Sequence, residues 1–177
     1  VIGHQETKLC FLDLIPDRSI VLSAGIGGNI TPETFLASQK ECLIIGLDPS
    51  ALAKFFLSRA SHIPNFLWLP YALGVSNEPI IFHESVKGEI MGSSDPNHRS
   101  ITNNESASYT VPCFTLEYLL TLFNNVSYLK IDIEGGEYDI IRKINALTVP
   151  QITIEFHDVA SPSFSKADTK ESIKKIE

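Results

Sequence analysis

Two glycine-rich turns, each set directly after a short apolar run, constrain this chain more than any other feature. Ser19–Ala24, with Ile20-Val21-Leu22 at its centre, enters Gly25-Ile26-Gly27-Gly28 without a break, and Tyr128–Ile133 enters Glu134-Gly135-Gly136 in the same way. A short apolar run that stops at glycine is the pattern of a buried parallel strand turning sharply into a helix. After the first turn, Thr31-Pro32-Glu33 places an N-cap, a proline at the first helical position and an acid in the first turn, so a helix is expected through about Gln39.

The rest of the chain repeats the alternation. Strands are expected at Leu43–Leu47, Phe66–Leu69, Asn77–Ser85 around Ile80-Ile81-Phe82, and Gln151–Phe156. Helices are expected at Gln5–Ile15, Ala51–Ala60, Leu116–Phe123 and from Glu137 to about Ile144, while the polar stretch Gly88–Ser108 reads as a long loop over the sheet's edge. Strands alternating with helices predict an α/β fold: a doubly wound, mainly parallel, Rossmann-like sheet in one domain. Residues 1–18 then form an N-terminal helical segment, 19–157 the core, and 158–177 a tail with a helix.

Composition narrows the function classes. A net charge of −7 across 177 residues argues against a surface that tracks nucleic-acid phosphates. No apolar run reaches the roughly 20 residues needed to span a bilayer, and the start of the chain lacks the pattern of a signal peptide. The chain begins at Val1, so its true N-terminus is expected to lie upstream. Cys10, Cys42 and Cys113 are too dispersed for a zinc site or a disulfide framework, which makes the reducing cytoplasm the default location.

In open α/β sheets, ligands bind beyond the carboxyl ends of the strands, where the strand order reverses. Gly25, Gly27 and Gly28 let the main chain approach a ligand closely. Asp48, at the end of the second strand of the alternation, is where an acid accepts hydrogen bonds from the hydroxyls of an adenosine ribose. Ile30 occupies the place where a dinucleotide fingerprint needs a small residue, which disfavours NAD. Lys130, Asp132 and Glu134 share one parity, as do Thr153, Glu155 and His157, so two neighbouring strands are expected to deliver acids and a histidine to one rim.

Leu129-Lys-Ile-Asp-Ile-Glu-Gly-Gly-Glu-Tyr and Ile154-Glu-Phe-His resemble the signatures of the FkbM family of S-adenosylmethionine-dependent methyltransferases, which have the class I fold. Val21-Leu-Ser-Ala-Gly-Ile-Gly-Gly-Asn-Ile, Gly46-Leu-Asp-Pro-Ser and Tyr71-Ala-Leu-Gly are similar to that family's cofactor motifs, so the resemblance runs from about residue 19 to 157. It implies that Gly25, Gly27 and Gly28 line the cofactor's methionine portion, that Asp48 holds the ribose, that Ala72 and Leu73 flank the adenine, that Asp132 faces the methyl donor, and that Ser23, Ala24, Asn29 and Pro49 belong to the cofactor site. Ser23 departs from the acid found there in many methyltransferases. The chain also ends 20 residues past His157, short of the two further strands that complete a class I fold, which leaves one sheet edge expected to be open and a homodimer compatible with it.

The resemblance implies methyl transfer to a hydroxyl on a small molecule or carbohydrate. His157 is the expected general base, with Glu155 orienting it or the acceptor and Asp132 beside the donor. The resemblance supplies no metal, although Asp132, Glu155 and His157 are also suitable ligands for a divalent ion. His4, His62, His83 and His98 lack an acidic partner at diagnostic spacing and are read as surface or loop residues. Ser93-Ser94-Asp95 are expected in a solvated loop, with contact to the cofactor or acceptor as the alternative. The alternatives are a degenerate interaction module and an NAD-dependent oxidoreductase; the latter is disfavoured because Tyr138 is followed four residues on by Arg142, not Lys.

Overall fold

The computed structural model describes residues 2–4, 7–57, 63–87, 91–145 and 148–176, with side chains from residue 11 onward. In chain order its elements are β1 (Ile2–His4), β2 (Thr7–Cys10), β3 (Ile20–Ala24), α1 (Thr31–Lys40), β4 (Leu43–Leu47), α2 (Ala51–Leu57), β5 (Phe66–Leu69), β6 (Ala72–Gly74), β7 (Ile80–Ser85), β8 (Gly92–Ser93), α3 (Arg99–Thr102), β9 (Ser106–Val111), β10 (Cys113–Thr115), α4 (Leu116–Leu122), β11 (Val126–Ile131), α5 (Glu137–Lys143), β12 (Gln151–Ile154) and α6 (Lys166–Ile176).

The central sheet has five strands in the order β12-β11-β3-β4-β5, all parallel. Chain order runs outward from β3 in one direction through β4 and β5, and β11 and β12 fill the other side. The reversal therefore falls between β3 and β11, the two strands that enter the glycine-rich turns. Their residues alternate between two apolar layers. Leu22, Ile45, Leu129 and Ile131 pack with Leu116 and Leu119 of α4 and Ile140 and Ile141 of α5. Val21, Ile44 and Tyr128 pack on the opposite face with Leu36 and Ala37 of α1. Strands buried on both faces read as continuous apolar runs, which is why these three were legible.

A separate antiparallel sheet, in the order β8-β7-β9, forms between β6 and β10. It takes Gly92–Ser93 and residues 106–108 out of the expected loop Gly88–Ser108, which also contains α3 and whose residues 88–90 lie outside the described ones. The reason lies in β7: Phe82 packs with Tyr109 and Val111, so the Ser-rich segment from 106 onward is drawn into strand pairing. Glu84 then ties this sheet to the central one. Its buried carboxylate accepts hydrogen bonds from Ala51 N and Leu52 N at the start of α2, and from Tyr109 Oη at 2.6 Å. Burial and that bond together push the Tyr109 phenol well above its ordinary range.

Three further expectations change. The helix at Gln5–Ile15 is replaced by the β1–β2 hairpin and a single 3₁₀ turn at Leu12–Leu14. The Leu9, Leu12 and Ile15 spacing fits a helix, but Gln151 of β12 captures the Phe11 main chain, accepting from its N at 2.6 Å and donating to its O at 3.3 Å. β2 consequently lies beside β12, so the edge expected to be open is partly covered. β11 and β12 also end earlier than expected, at Ile131 and Ile154, because the turn begins at Glu134 with a left-handed φ of 57°. The expected helix from Ala51 is described only to Leu57, and its last residues lie outside the described ones, as does His62.

Replacing Glu84 with Ala leaves two helix-start N–H groups and a half-buried phenol without their acceptor. We expect a loss of roughly 2–4 kcal/mol of unfolding free energy, read as a lower urea midpoint, and a smaller loss for Tyr109→Phe.

Candidate active site

The two turns meet at the topological switch. Asp132 N donates to Ala24 O at 3.0 Å, continuing the β3–β11 ladder past its last residues. Gly25 has a φ of 78°, and a Cβ built on it would lie 1.5 Å from Asp132 O. Only glycine fits there, both for its dihedral and for the approach of the neighbouring chain. Lys130, buried under the turn, donates from Nζ to Gly25 O at 3.0 Å and stands 3.2 Å from Asp132 Oδ2.

Asp48 fixes the far side of the first turn. Its Oδ2 accepts from Ile26 N at 3.0 Å and Gly27 N at 2.7 Å, and its Oδ1 accepts from Ser50 N at 2.8 Å. The carboxylate is thus a brace for the glycine turn, with acceptor capacity left on Oδ1. Trp68 Nε1 holds the Asp48 carbonyl at 3.0 Å.

Between these turns lies a cleft of about 230 Å³. Gly25, Gly27, Gly28, Asp48, Pro49, Ala72, Leu73 and Asp132 all line it. Ser23, Ala24 and Asn29 do not. Ser23 and Ala24 are buried in β3, Ser23 donating its hydroxyl to Glu33 Oε1 at 2.7 Å, and Asn29 accepts from Thr31 N at the start of α1. The cleft also takes in Tyr71, from the Tyr71-Ala-Leu-Gly segment, Ser94, from the Ser93-Ser94-Asp95 stretch, and Phe82 and Met91, which sequence reasoning did not single out as site residues. Phe82 belongs to the antiparallel sheet, and no local spacing connects that sheet to the glycine turn.

A second pocket of about 360 Å³ adjoins the first, sharing Met91 and Glu134 with it. Arg99, Asn103, Glu155, His98 and His157 form its walls. Glu137, fully buried at the start of α5, organises this region. Its Oε2 accepts from Gly135 N at 2.8 Å, and its Oε1 accepts from His157 N at 2.8 Å and lies 3.0 Å from His157 Nδ1. His157 Nε2 consequently faces Glu134, Asp132 and Glu155, at 3.4, 3.7 and 3.9 Å. Burial lowers the pKa of His157, but the Glu137 hydrogen bond and the charges of Glu134, Glu137 and Asp132 outweigh it and raise the value to about 9. Burial and the neighbouring Asp132 charge raise that of Glu155.

His98, expected as a surface or loop residue, does stand in the loop before α3 but not at the surface. It is buried, caps α3 by accepting from Ser100 N, and places Nε2 3.2 Å from Glu134 Oε2. Sequence spacing could not show this, because 36 positions separate it from Glu134 and the chain crosses the cleft in between. His83, on β7, bonds Ser108 instead. The Ser93-Ser94-Asp95 stretch also has fixed contacts: Ser93 Oγ donates to Glu134 O, and Ser94 lines the cleft. Asp95 accepts from Ser161 Oγ, from Asn97 N at 2.9 Å and from Ser163 Oγ at 3.0 Å.

The profile of the methyltransferase FkbM domain matches residues 18–175, nearly the whole chain. Neither a curated protein nor a solved structure matches it.

Asp95 supplies a pH test of how the pocket is closed. Burial raises its pKa, but the bonds from Ser161, Asn97 and Ser163 outweigh burial and hold it below the ordinary 3.8. A lowered folded-state pKa contributes stability above the unfolded value that is lost as pH falls through the folded one. Asp95→Asn is therefore expected to be less stable than wild type at pH 7, with the gap in urea midpoint closing as pH falls below about 4.

Proposed function

The chain belongs to the FkbM methyltransferase domain family, and we propose that it transfers the methyl group of S-adenosylmethionine to a hydroxyl of a small molecule or carbohydrate. The observation that carries this reading is the pairing of two pockets across Glu134 and Met91, with Asp132 on the first pocket's side. One has the size and lining of a nucleoside site; the other carries acids, a histidine and amide side chains suited to a hydroxylated acceptor.

In this reading the adenine lies against Ala72, Leu73 and Phe82, and the free acceptor capacity of Asp48 Oδ1 takes a ribose hydroxyl. The methionine portion follows the glycine turn toward Asp132, whose carboxylate favours the positive end of the donor. The sulfonium methyl then points at the second pocket. Methyl transfer needs an in-line approach, so holding donor and acceptor in adjoining pockets accounts for much of the acceleration. The acceptor oxygen forms the O–CH₃ bond as the C–S bond breaks, and the C–S electron pair stays on sulfur as a neutral thioether. The hydroxyl proton passes to Nε2 of the neutral His157, which Glu137 orients through Nδ1, while Glu155 on the pocket wall aligns the acceptor. Because the His157 pKa is raised to about 9, that neutral form is the minority at pH 7, and turnover is expected to rise toward pH 9. Buried free thiols at Cys42 and Cys113 suit the reducing cytoplasm.

Calorimetry with S-adenosylmethionine tests the cofactor first. Wild type is expected to bind, and Asp48→Ala to lose about 100-fold or more, since both the turn brace and the ribose acceptor go. Failure of the folded wild type to bind would overturn the reading in favour of a domain that serves only in interactions. Once an acceptor panel of sugars and polyols yields S-adenosylhomocysteine, His157→Gln should lower kcat by roughly 10²-fold with cofactor affinity unchanged; wild-type turnover would remove His157 from the mechanism.

A further inference from the structure

The wall shared by the two pockets gathers more negative charge than its cations offset. Asp132, Glu134, Glu137 and Glu155 converge there with Lys130, His98 and His157. We propose that this wall is a binding site for a divalent cation of the Mn²⁺ class, held by Asp132, Glu155 and His157 with Glu134 alongside.

The distances carry the argument. From His157 Nε2, the carboxylate oxygens of Glu134, Asp132 and Glu155 stand at 3.4, 3.7 and 3.9 Å. All three exceed a normal hydrogen bond. They match the spacing of roughly 3–4.3 Å between atoms that share one ion at about 2.1 Å. Ligating atoms of Asp132, Glu155 and His157 lie within 4.8 Å of one another. Glu137 lies 3.0 Å from Nδ1, so Nε2 is the nitrogen that faces the three carboxylates. An ion bound there would replace the Nε2 proton, with a carboxylate behind the other ring nitrogen as in many metal-bound histidines.

His98 is the independent sign of a ligand. It is 2% exposed, and its Nδ1 accepts from Ser100 N, so Nε2 carries the hydrogen. That Nε2 points at the same cluster, 3.2 Å from Glu134 Oε2, yet makes no well-aligned hydrogen bond. A buried donor left in this state is costly. A water or acceptor oxygen on a cation at this wall would accept from it. Mixed carboxylate and imidazole ligands favour Mn²⁺ over Mg²⁺, which takes oxygen donors and keeps its waters.

The ion's catalytic consequence, unlike its binding, rests on the methyl-transfer reading. An acceptor hydroxyl on the ion is acidified and positioned toward the donor methyl. In the loaded site His157 acts as a ligand, and the hydroxyl proton leaves to the unligated oxygen of Glu155.

The test is titration of the chelator-stripped full chain with MnCl₂, followed by calorimetry and by loss of the free-ion paramagnetic resonance signal. We expect saturable one-to-one binding, weakened at least about 10-fold by His157→Ala and by Glu155→Gln and unchanged by the remote Glu105→Gln. Glu155 is half-exposed, so its variant should fold, as its thermal unfolding will check. No saturable binding, or binding that survives both substitutions, overturns the site. S-adenosylmethionine calorimetry on the stripped chain separates the two readings. Cofactor binding without Mn²⁺ binding sinks the ion site alone; Mn²⁺ binding without cofactor binding keeps the site and removes its catalytic role.

Discussion

The main-chain contact between the two glycine-rich turns is the constraint on which the site depends. Asp132 N donates to Ala24 O, and Gly25 comes so close to Asp132 O that no side chain fits between. The register of β3 against β11 is therefore the register of the cleft's two lips. The register in turn is set by apolar residues on both faces, since a slip by one residue would move Leu22, Leu129 and Ile131 out of their layer. Core packing and the geometry of the cleft are one problem in this fold. Lys130 links them as well, bridging the carbonyl of one turn and the carboxylate of the other.

Glu137 plays the corresponding part for the second pocket. One buried carboxylate holds the Gly135 turn and both the backbone and ring of His157. A burial so deep is tolerable for a carboxylate only with several donors around it, and these three supply them. The start of α5 and the end of β12 consequently move as a unit. His157, Glu134 and Asp132 keep their mutual distances because all hang from that anchor and from the β3–β11 ladder.

The sheet and the first pocket were legible because they follow from local patterns. Buried parallel strands announce themselves as apolar runs, and the glycines at 25 and 135 mark places where φ is positive. Asp48 was legible as a residue of the cleft, though its work as a brace for Ile26 N and Gly27 N was not. The second pocket was only half legible. Glu155 and His157 show in the strand parity, but His98 comes from the segment between β8 and β9, whose place beside Glu134 depends on contacts between distant parts of the chain, as does that of Phe82 in the first pocket. The N-terminal helix failed for a similar reason: helical spacing at Leu9, Leu12 and Ile15 lost to a side chain of β12 that binds the Phe11 main chain. Glu33, whose bond to buried Ser23 puts an acid beside the first strand, was visible only as a helix-start acid.

The β7–β9 sheet gives both pockets part of their walls from one continuous stretch of chain. Phe82 reaches the first pocket, and Met91 the first and second, while His98 and Arg99 line the second. Glu84 clamps the stretch to α2 at one end, and Asp95 fastens it to residues 161 and 163 at the other. The two fastenings leave the intervening residues to vary in shape while the sheet beneath stays fixed. On the proposed methyl-transfer reading, acceptor preference would then be open to rewriting within that short span, as an interchangeable cassette, without redesigning the turns that line the first pocket.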